Sequence, residues 1–136
     1  MITRYLVDTN VLLSASRRIN PANPVSTAAL DALVFSGTPF HYTLQNAAEF
    51  WSVFTRPPER NGLGLTPAAA EQELADLEAT LVLLPETTDV YKHWFRLVTE
   101  YGIAGVKVHD ARLVASMLAH RISHLLTLNG ADFALF

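Results

Sequence analysis

Four short apolar runs, YLV (5–7), FHYT (40–43), LVLLP (81–85) and HLLTL (124–128), are separated by longer stretches whose apolar residues recur every three or four positions. The runs have the length of strands, and the intervening spacing has the helical period. Strands alternating with helices predict an α/β domain with a mainly parallel central sheet. In such sheets the working residues gather beyond the carboxyl ends of the strands. The residues just after each run therefore carry the most information about function.

The expected helices follow from stripes and stop signals. Val11 to Ala15 is a short helix entered through Thr9 or Asn10 as a cap. Pro21 and Pro24 mark a loop, and the segment STAALDALVFSG from Ser26 is a helix stopping at Gly37. In LQNAAEFWSVFTR, Ala47, Phe50, Trp51 and Phe54 fall at i, i+3, i+4 and i+7, an apolar helical stripe. RPPERNGLGL breaks the chain, after which Thr66 and Pro67 fit the cap and first position of a helix reaching about Ala79. A helix from Thr88 stops at Gly102, and another spans His109 to His120.

Five polar residues stand out on this scaffold. Asp8 follows the first strand, and Asn129 and Asp132 follow the last through a turn at Asn129-Gly130. Glu49 and Asp110 lie on helices, each beside an apolar stripe, so all can converge on one cleft. The chain has no cysteine, which excludes a disulfide framework and a thiolate zinc site. Oxygen donors alone favour a hard cation, Mg2+ or Mn2+, which would offset the repulsion among the acids and activate water toward a phosphodiester.

Composition narrows the classes further. At 136 residues and 50% hydrophobic, the chain fits a single domain over 1–136 with a sizeable core. Its mean hydropathy of +0.21 excludes a disordered chain. No apolar run nears the roughly 20 residues of a membrane span, and Met1 leads to Asp8 with no basic start or long apolar stretch. A soluble cytoplasmic protein with no membrane association is expected. A net charge of -3 argues against a general polyanion-coating protein while allowing a local basic patch.

In order and in spacing, LVDTNVLL, NAAEFW, VHDARLVASML and LLTLNGADF resemble the PIN-domain family, and within it the VapC-like ribonuclease toxins of type II toxin-antitoxin systems. The likeness runs from about Tyr5 to Phe133. It implies a three-layer α/β/α fold and a Mg2+- or Mn2+-dependent endoribonuclease acting on structured RNA of the tRNA or rRNA class. It also implies products with a 5' phosphate and 3' hydroxyl, a homodimer, and inhibition by a cognate antitoxin. Asp8, Glu49 and Asp110 match the family's three most regular acids, and Thr9 its small hydroxyl residue after the first acid. Many members carry an acid two residues after the threonine of the last strand. Here Thr127 is followed by Asn129, with Asp132 three residues further on, so the fourth ligand is Asn129 or Asp132.

Each residue also has a plain structural reading. Asp8 can cap a helix, Glu49 can be a solvated helix residue, and Asp110 can complement a helix dipole. Asn129-Gly130 is a turn, and Asp132 can cap a terminal one. Arg17, Arg18, Arg56, Arg60, Lys107 and Arg112 are solvated charges or phosphate contacts. A phosphoacceptor receiver domain would need paired acids at the first strand and a lysine after a late one, and LVDTN and LLTLNG supply neither. A non-catalytic PIN-like module binding RNA or protein is the alternative that Asn129 favours and the three intact acids oppose.

Overall fold

The computed structural model describes residues 3–15 and 37–136. Strands β1 (Tyr5–Val7), β2 (Phe40–Tyr42), β3 (Val82–Leu83) and β4 (His124–Leu126) form one sheet in the order β3-β2-β1-β4. Every pairing is parallel, with Tyr5 opposite both Phe40 and His124, and His41 opposite Val82. Helices α1 (Thr9–Ala15), α2 (Leu44–Thr55), α3 (Pro67–Glu78), α4 (Thr88–Glu100) and α5 (Lys107–His120) are the five described α-helices. The helix expected from Ser26 and the loop at Pro21 and Pro24 lie outside the described residues, as do Arg17 and Arg18.

Alternation along the three residues of β1 produces the layers. Val7 and the half-buried Tyr5 pack on one face, with Val11 and Leu12 of α1, Phe50 and Phe54 of α2 and Ala70 of α3. Leu6 faces the other way, against Leu113 of α5, Leu84 and Ile122. Beyond it, Val90 and Leu97 of α4 close on Ala111 and Ala115 of α5. The result is the three-layer α/β/α arrangement expected. Phe50 and Phe54 are both fully buried, with ring centroids 4.8 Å apart. Each such side chain contributes about 1.5–3 kcal/mol by burial.

Helix ends explain most departures from the sequence reading. The FHYT strand stops at Tyr42 because Thr43 is the cap of α2: its hydroxyl accepts from Asn46 N at 3.1 Å, and Asn46 Oδ1 accepts from Thr43 N at 2.8 Å. Thr66 caps α3 and Pro67 opens it as expected, the Thr66 hydroxyl accepting from Ala69 N at 3.2 Å. Helix α4 gives out at Glu100, and Gly102 follows with φ 59°, the left-handed backbone that glycine adopts without penalty. Helix α5 begins at Lys107 rather than His109, and Val106 before it offers no capping side chain. Thr9 and Asn10 are not caps. The first helix already starts at Thr9, and the Asp8 carbonyl accepts from Val11 and Leu12 N. LVLLP shrinks to two strand residues at the sheet edge, and HLLTL to three.

One buried group makes the fold sensitive to acid. His41, in β2, is 7% exposed, and neither ring nitrogen has a hydrogen-bond partner. Burial, with Arg4 and His120 nearby, holds the ring below its ordinary value of 6.5, against the pull of the neighbouring Val82 backbone. As the pH falls through 6.5 the unfolded chain takes up this proton before the folded one, so stability is present above that value and is lost below it. The expected slope approaches about 1.4 kcal/mol per pH unit at most. Urea melts from pH 7.5 to 5 check this, and a His41→Gln protein with an unchanged pH profile would refute it.

Candidate active site

Strand order reverses beside β1: β2 and β3 extend the sheet on one side and β4 adds to the other. The crevice beyond the carboxyl ends at such a reversal is where α/β sheets place their sites. A cleft of about 410 Å³ opens there, and Asp8, Thr9, Asn10, Glu49, Arg56, Asp110, Asn129 and Asp132 line it together with neighbouring apolar side chains. All six residues singled out from the sequence thus border one cavity.

Asp8 leaves β1 and is 8% exposed. Its Oδ1 accepts from Thr9 N at 2.7 Å, and its Oδ2 accepts from the Thr127 hydroxyl at 2.8 Å. The Asp8 amide donates to the Leu126 carbonyl of β4 at 2.9 Å, so backbone and side chain are both fixed across the β1–β4 seam. Burial pushes the Asp8 carboxyl above its ordinary 3.8, and the charges of Glu49 and Asp132 push the same way against the two hydrogen bonds. The family resemblance implies a Thr9 hydroxyl that orients the carboxylate or the attacking water. Thr9 orients the carboxylate through its amide, while the hydroxyl on Asp8 is that of Thr127.

Asp110 sits in the first turn of α5, where the helix dipole favours a negative charge. Lys107, one turn earlier, approaches its Oδ2 at 3.7 Å and also donates to the Asp132 carbonyl. Burial raises Asp110 too; Lys107 opposes the shift, and Asp132 and Asp8 add to it. Glu49 is an exposed residue of α2 on the cleft wall. Asn129 and Asp132 flank the start and the middle of the turn Gly130–Phe133, and Phe133 anchors that turn against the Leu6 and Leu113 cluster.

Long-range bonds hold these elements in register. Asn46, fully buried, donates from Nδ2 to the Thr9 hydroxyl at 3.0 Å and so ties α2 to α1. Gln45 Nε2 donates to the His109 carbonyl at 3.0 Å, tying α2 to the start of α5. Leu128 N donates to Asn10 Oδ1 at 3.3 Å. Sequence reasoning missed Asn46, Asn10 and Thr127 as site residues. For Asn10 the signal available was its place in the TN pair directly after the first strand; Asn46 and Thr127 carried none, since each acts across the fold.

The donor set consists of oxygen ligands with a surplus of negative charge, and two of the carboxyls are shifted upward in part by their neighbours. That chemistry fits a hard divalent cation, which would remove the repulsion. Among the described residues no group of three or more His, Asp or Glu side chains stands close enough together to hold a metal ion.

A model of the PIN domain matches residues 5–135. No curated protein matches the chain by sequence. Among solved structures, the chain is similar to one in VapBC2 from Rickettsia felis bound to a DNA fragment from its promoter. There the TM-score is 0.74 at 16% identity, over 98% of this chain and 93% of that one. A toxin-antitoxin complex from Klebsiella pneumoniae gives 0.64 at 24% identity, covering 96% and 90%. The sarcin-ricin loop cleaving toxin VapC20 of Mycobacterium tuberculosis gives 0.66 at 17% identity, covering 96% and 94%. At these identities the likeness is one of fold. With almost the whole length matched by the family model and the acids gathered at the strand reversal, this chain belongs to the PIN domain family.

Proposed function

We propose that the protein is an endoribonuclease, the toxin of a toxin-antitoxin pair, which uses Mg2+ or Mn2+ held in the cleft to hydrolyse phosphodiester bonds of structured RNA. The observation that carries this reading is the convergence of Asp8, Glu49, Asp110 and Asp132 on one cleft, with Asp8 and Asp110 shifted upward. Asp8 and Asp110 are the principal ligands, Glu49 a further one or an anchor for the cation's waters, and Asp132 or Asn129 the fourth. A bound cation supplies Lewis-acid polarisation of the phosphate and of the attacking water. The chain's part is to hold the donors still. Thr127 and the Thr9 amide fix the Asp8 carboxylate, while the α5 dipole and Lys107 favour the charged form of Asp110 against its burial.

Structural neighbours that are toxin-antitoxin complexes support an antitoxin partner for this chain. A homodimer is part of the same reading. Of the large apolar side chains in EFWSVF, Phe50 and Phe54 are fully buried in the core. Among the described residues, α4 holds two aromatic side chains well out of the core, Tyr91 59% and Phe95 53% exposed. A dimer mass in light scattering at micromolar protein tests it. No described helix is long and apolar enough to cross a membrane, and a cytoplasmic site of action fits the same reading.

The fourth ligand separates two forms of the site. An Asn129 amide oxygen can coordinate but brings no charge, whereas Asp132 does. Asp132 is the better candidate, since its charge already acts on both Asp8 and Asp110. Asp132→Ala is expected to raise the metal concentration for half-maximal cleavage about tenfold. The metal-free melting temperature should stay put, because Lys107 binds the Asp132 main-chain carbonyl. An untouched metal titration with an early melt would make Asp132 a structural residue, and Asn129→Asp, which then tightens the metal, would mark Asn129 as the ligand. A non-catalytic RNA- or protein-binding module is the second reading, favoured by the uncharged Asn129. It predicts no carboxylate-dependent Mn2+ binding in calorimetry.

A further inference from the structure

On α2 the residues facing the cleft are Glu49, Ser52, Val53 and Arg56, at i, i+3, i+4 and i+7, opposite the stripe that carries Phe50 and Phe54 into the core. Two helical turns therefore separate Glu49 from Arg56, roughly 10 Å along the axis. The spacing thus sets the Arg56 position two turns along the cleft wall from that of Glu49. Among the described residues lining the cleft, Arg56 is the one cation.

Arg56 is held in place without being neutralised. Its Nε is buried with no partner, and its side chain donates only a 3.4 Å contact, from Nη2 to the Asn61 carbonyl. Lys107, which lies beside the cleft, is occupied by Asp110 and the Asp132 carbonyl. Arg56 closes α2 through its backbone alone. Its amide donates to the Ser52 carbonyl, and its carbonyl accepts from Gly64 N at 2.9 Å. The following loop folds back so tightly that a Cβ on Gly62 would lie 1.9 Å from the Arg56 carbonyl oxygen and 2.3 Å from its Cγ. Glycine at 62 lets the loop clasp the stem of the side chain. A stem fixed at Cγ and a fork with unused donors make a preorganised anion contact.

We propose that Arg56 grips a phosphate of the bound RNA strand next to the one being cleaved, and so sets how the strand lies across the acidic end of the cleft. The inference rests on the RNA-cleaving reading of that cleft. Arg56 is a positioning residue: it binds a non-reacting phosphate and contributes equally to substrate and transition state. Losing it raises KM and leaves kcat nearly unchanged.

The test compares Arg56→Gln and Arg56→Lys, both of which keep the buried Cγ and the backbone bonds. Binding of a fluorescein-labelled RNA hairpin is measured over a KCl series in EDTA, in an Asp8→Asn background that prevents cleavage. Arg56→Gln is expected to weaken binding about tenfold and to lower the salt slope by about 0.7–1. Arg56→Lys retains the slope and part of the affinity, since it keeps the charge and loses the fork. In the otherwise wild-type protein with Mn2+, Arg56→Gln raises KM for cleavage about tenfold with kcat within twofold. Equal salt slopes with and without Arg56 overturn the proposal, as does a hairpin that the Asp8→Asn protein does not bind. Early melting of both variants, with binding lost only in proportion to unfolding, overturns it too. A wild type that cleaves no RNA while the salt slope still depends on Arg56 refutes the nuclease reading and upholds the phosphate contact.

Discussion

Asp8→Asn is expected to cut RNA cleavage by at least about a hundredfold while raising the melting temperature of the metal-free protein. The two effects have one cause. Burial and the charges of Glu49 and Asp132 make ionised Asp8 costly in the fold, which is why its carboxyl is raised above 3.8. A raised carboxyl contributes stability only while it is protonated, and that contribution is lost as the pH climbs through the folded value. The gap between the two proteins should therefore be absent below the ordinary value of 3.8, open through the mildly acid range, and be full at neutral pH. The amide keeps the geometry: its oxygen still accepts from Thr9 N, and the Thr127 hydroxyl can turn to accept from its nitrogen. Added Mn2+ should reverse the order, raising the wild-type melting temperature and leaving the variant's alone. Calorimetric melts with and without Mn2+, beside a cleavage assay on a structured RNA, check both halves. Unchanged turnover at saturating Mn2+ would remove Asp8 from the site. A variant that melts earlier would show that the carboxylate serves chiefly to cap α1.

What the sequence revealed about this site depends on how far apart the interacting residues lie in the chain. Asp8 was legible because an acid directly after an apolar run breaks the local pattern, and strand ends are where parallel sheets build sites. Glu49 was legible because the stripe from Ala47 to Phe54 fixes which face of α2 is left over. Thr66-Pro67 and Gly102 marked helix ends through local chemistry and stand where expected. Thr127 and Asn46 gave no such signal. One reaches Asp8 across 119 positions and the other reaches Thr9 across 37, and no local period encodes either bond. The start of α5 was placed two residues late for a related reason. With no capping side chain at Val106, nothing local announces it. The unpaired Nε of Arg56 was equally hidden, because it depends on how the loop beyond Pro57 folds back.

Asn46→Ala should cost about 2–4 kcal/mol, among the largest single losses available outside the apolar core. Asn46 is fully buried and serves two elements at once. Its Oδ1 accepts from both the amide and the hydroxyl of Thr43, which completes the capping box of α2, and its Nδ2 donates to the Thr9 hydroxyl. Alanine strips the cap of one half and leaves the Thr43 amide and the Thr9 hydroxyl without a partner where water does not reach. The damage should extend to the site, because the Thr9 amide is one of the two donors that hold Asp8. Kept well below its lowered melting temperature, the variant should therefore cleave more slowly, with a lower kcat and little change in KM, since no RNA contact is lost. Asn46→Asp separates the two duties. Its carboxylate can still accept from Thr43 N, but it adds a second buried charge beside Asp8 and gives up the donor to Thr9. Its stability should fall as the pH rises and recover in mild acid, where the carboxyl is protonated. A variant of Asn46 that melts like the wild type would mean that the bond between α1 and α2 contributes nothing. The register of Glu49 against Asp8 would then rest on the Phe50 and Phe54 packing alone.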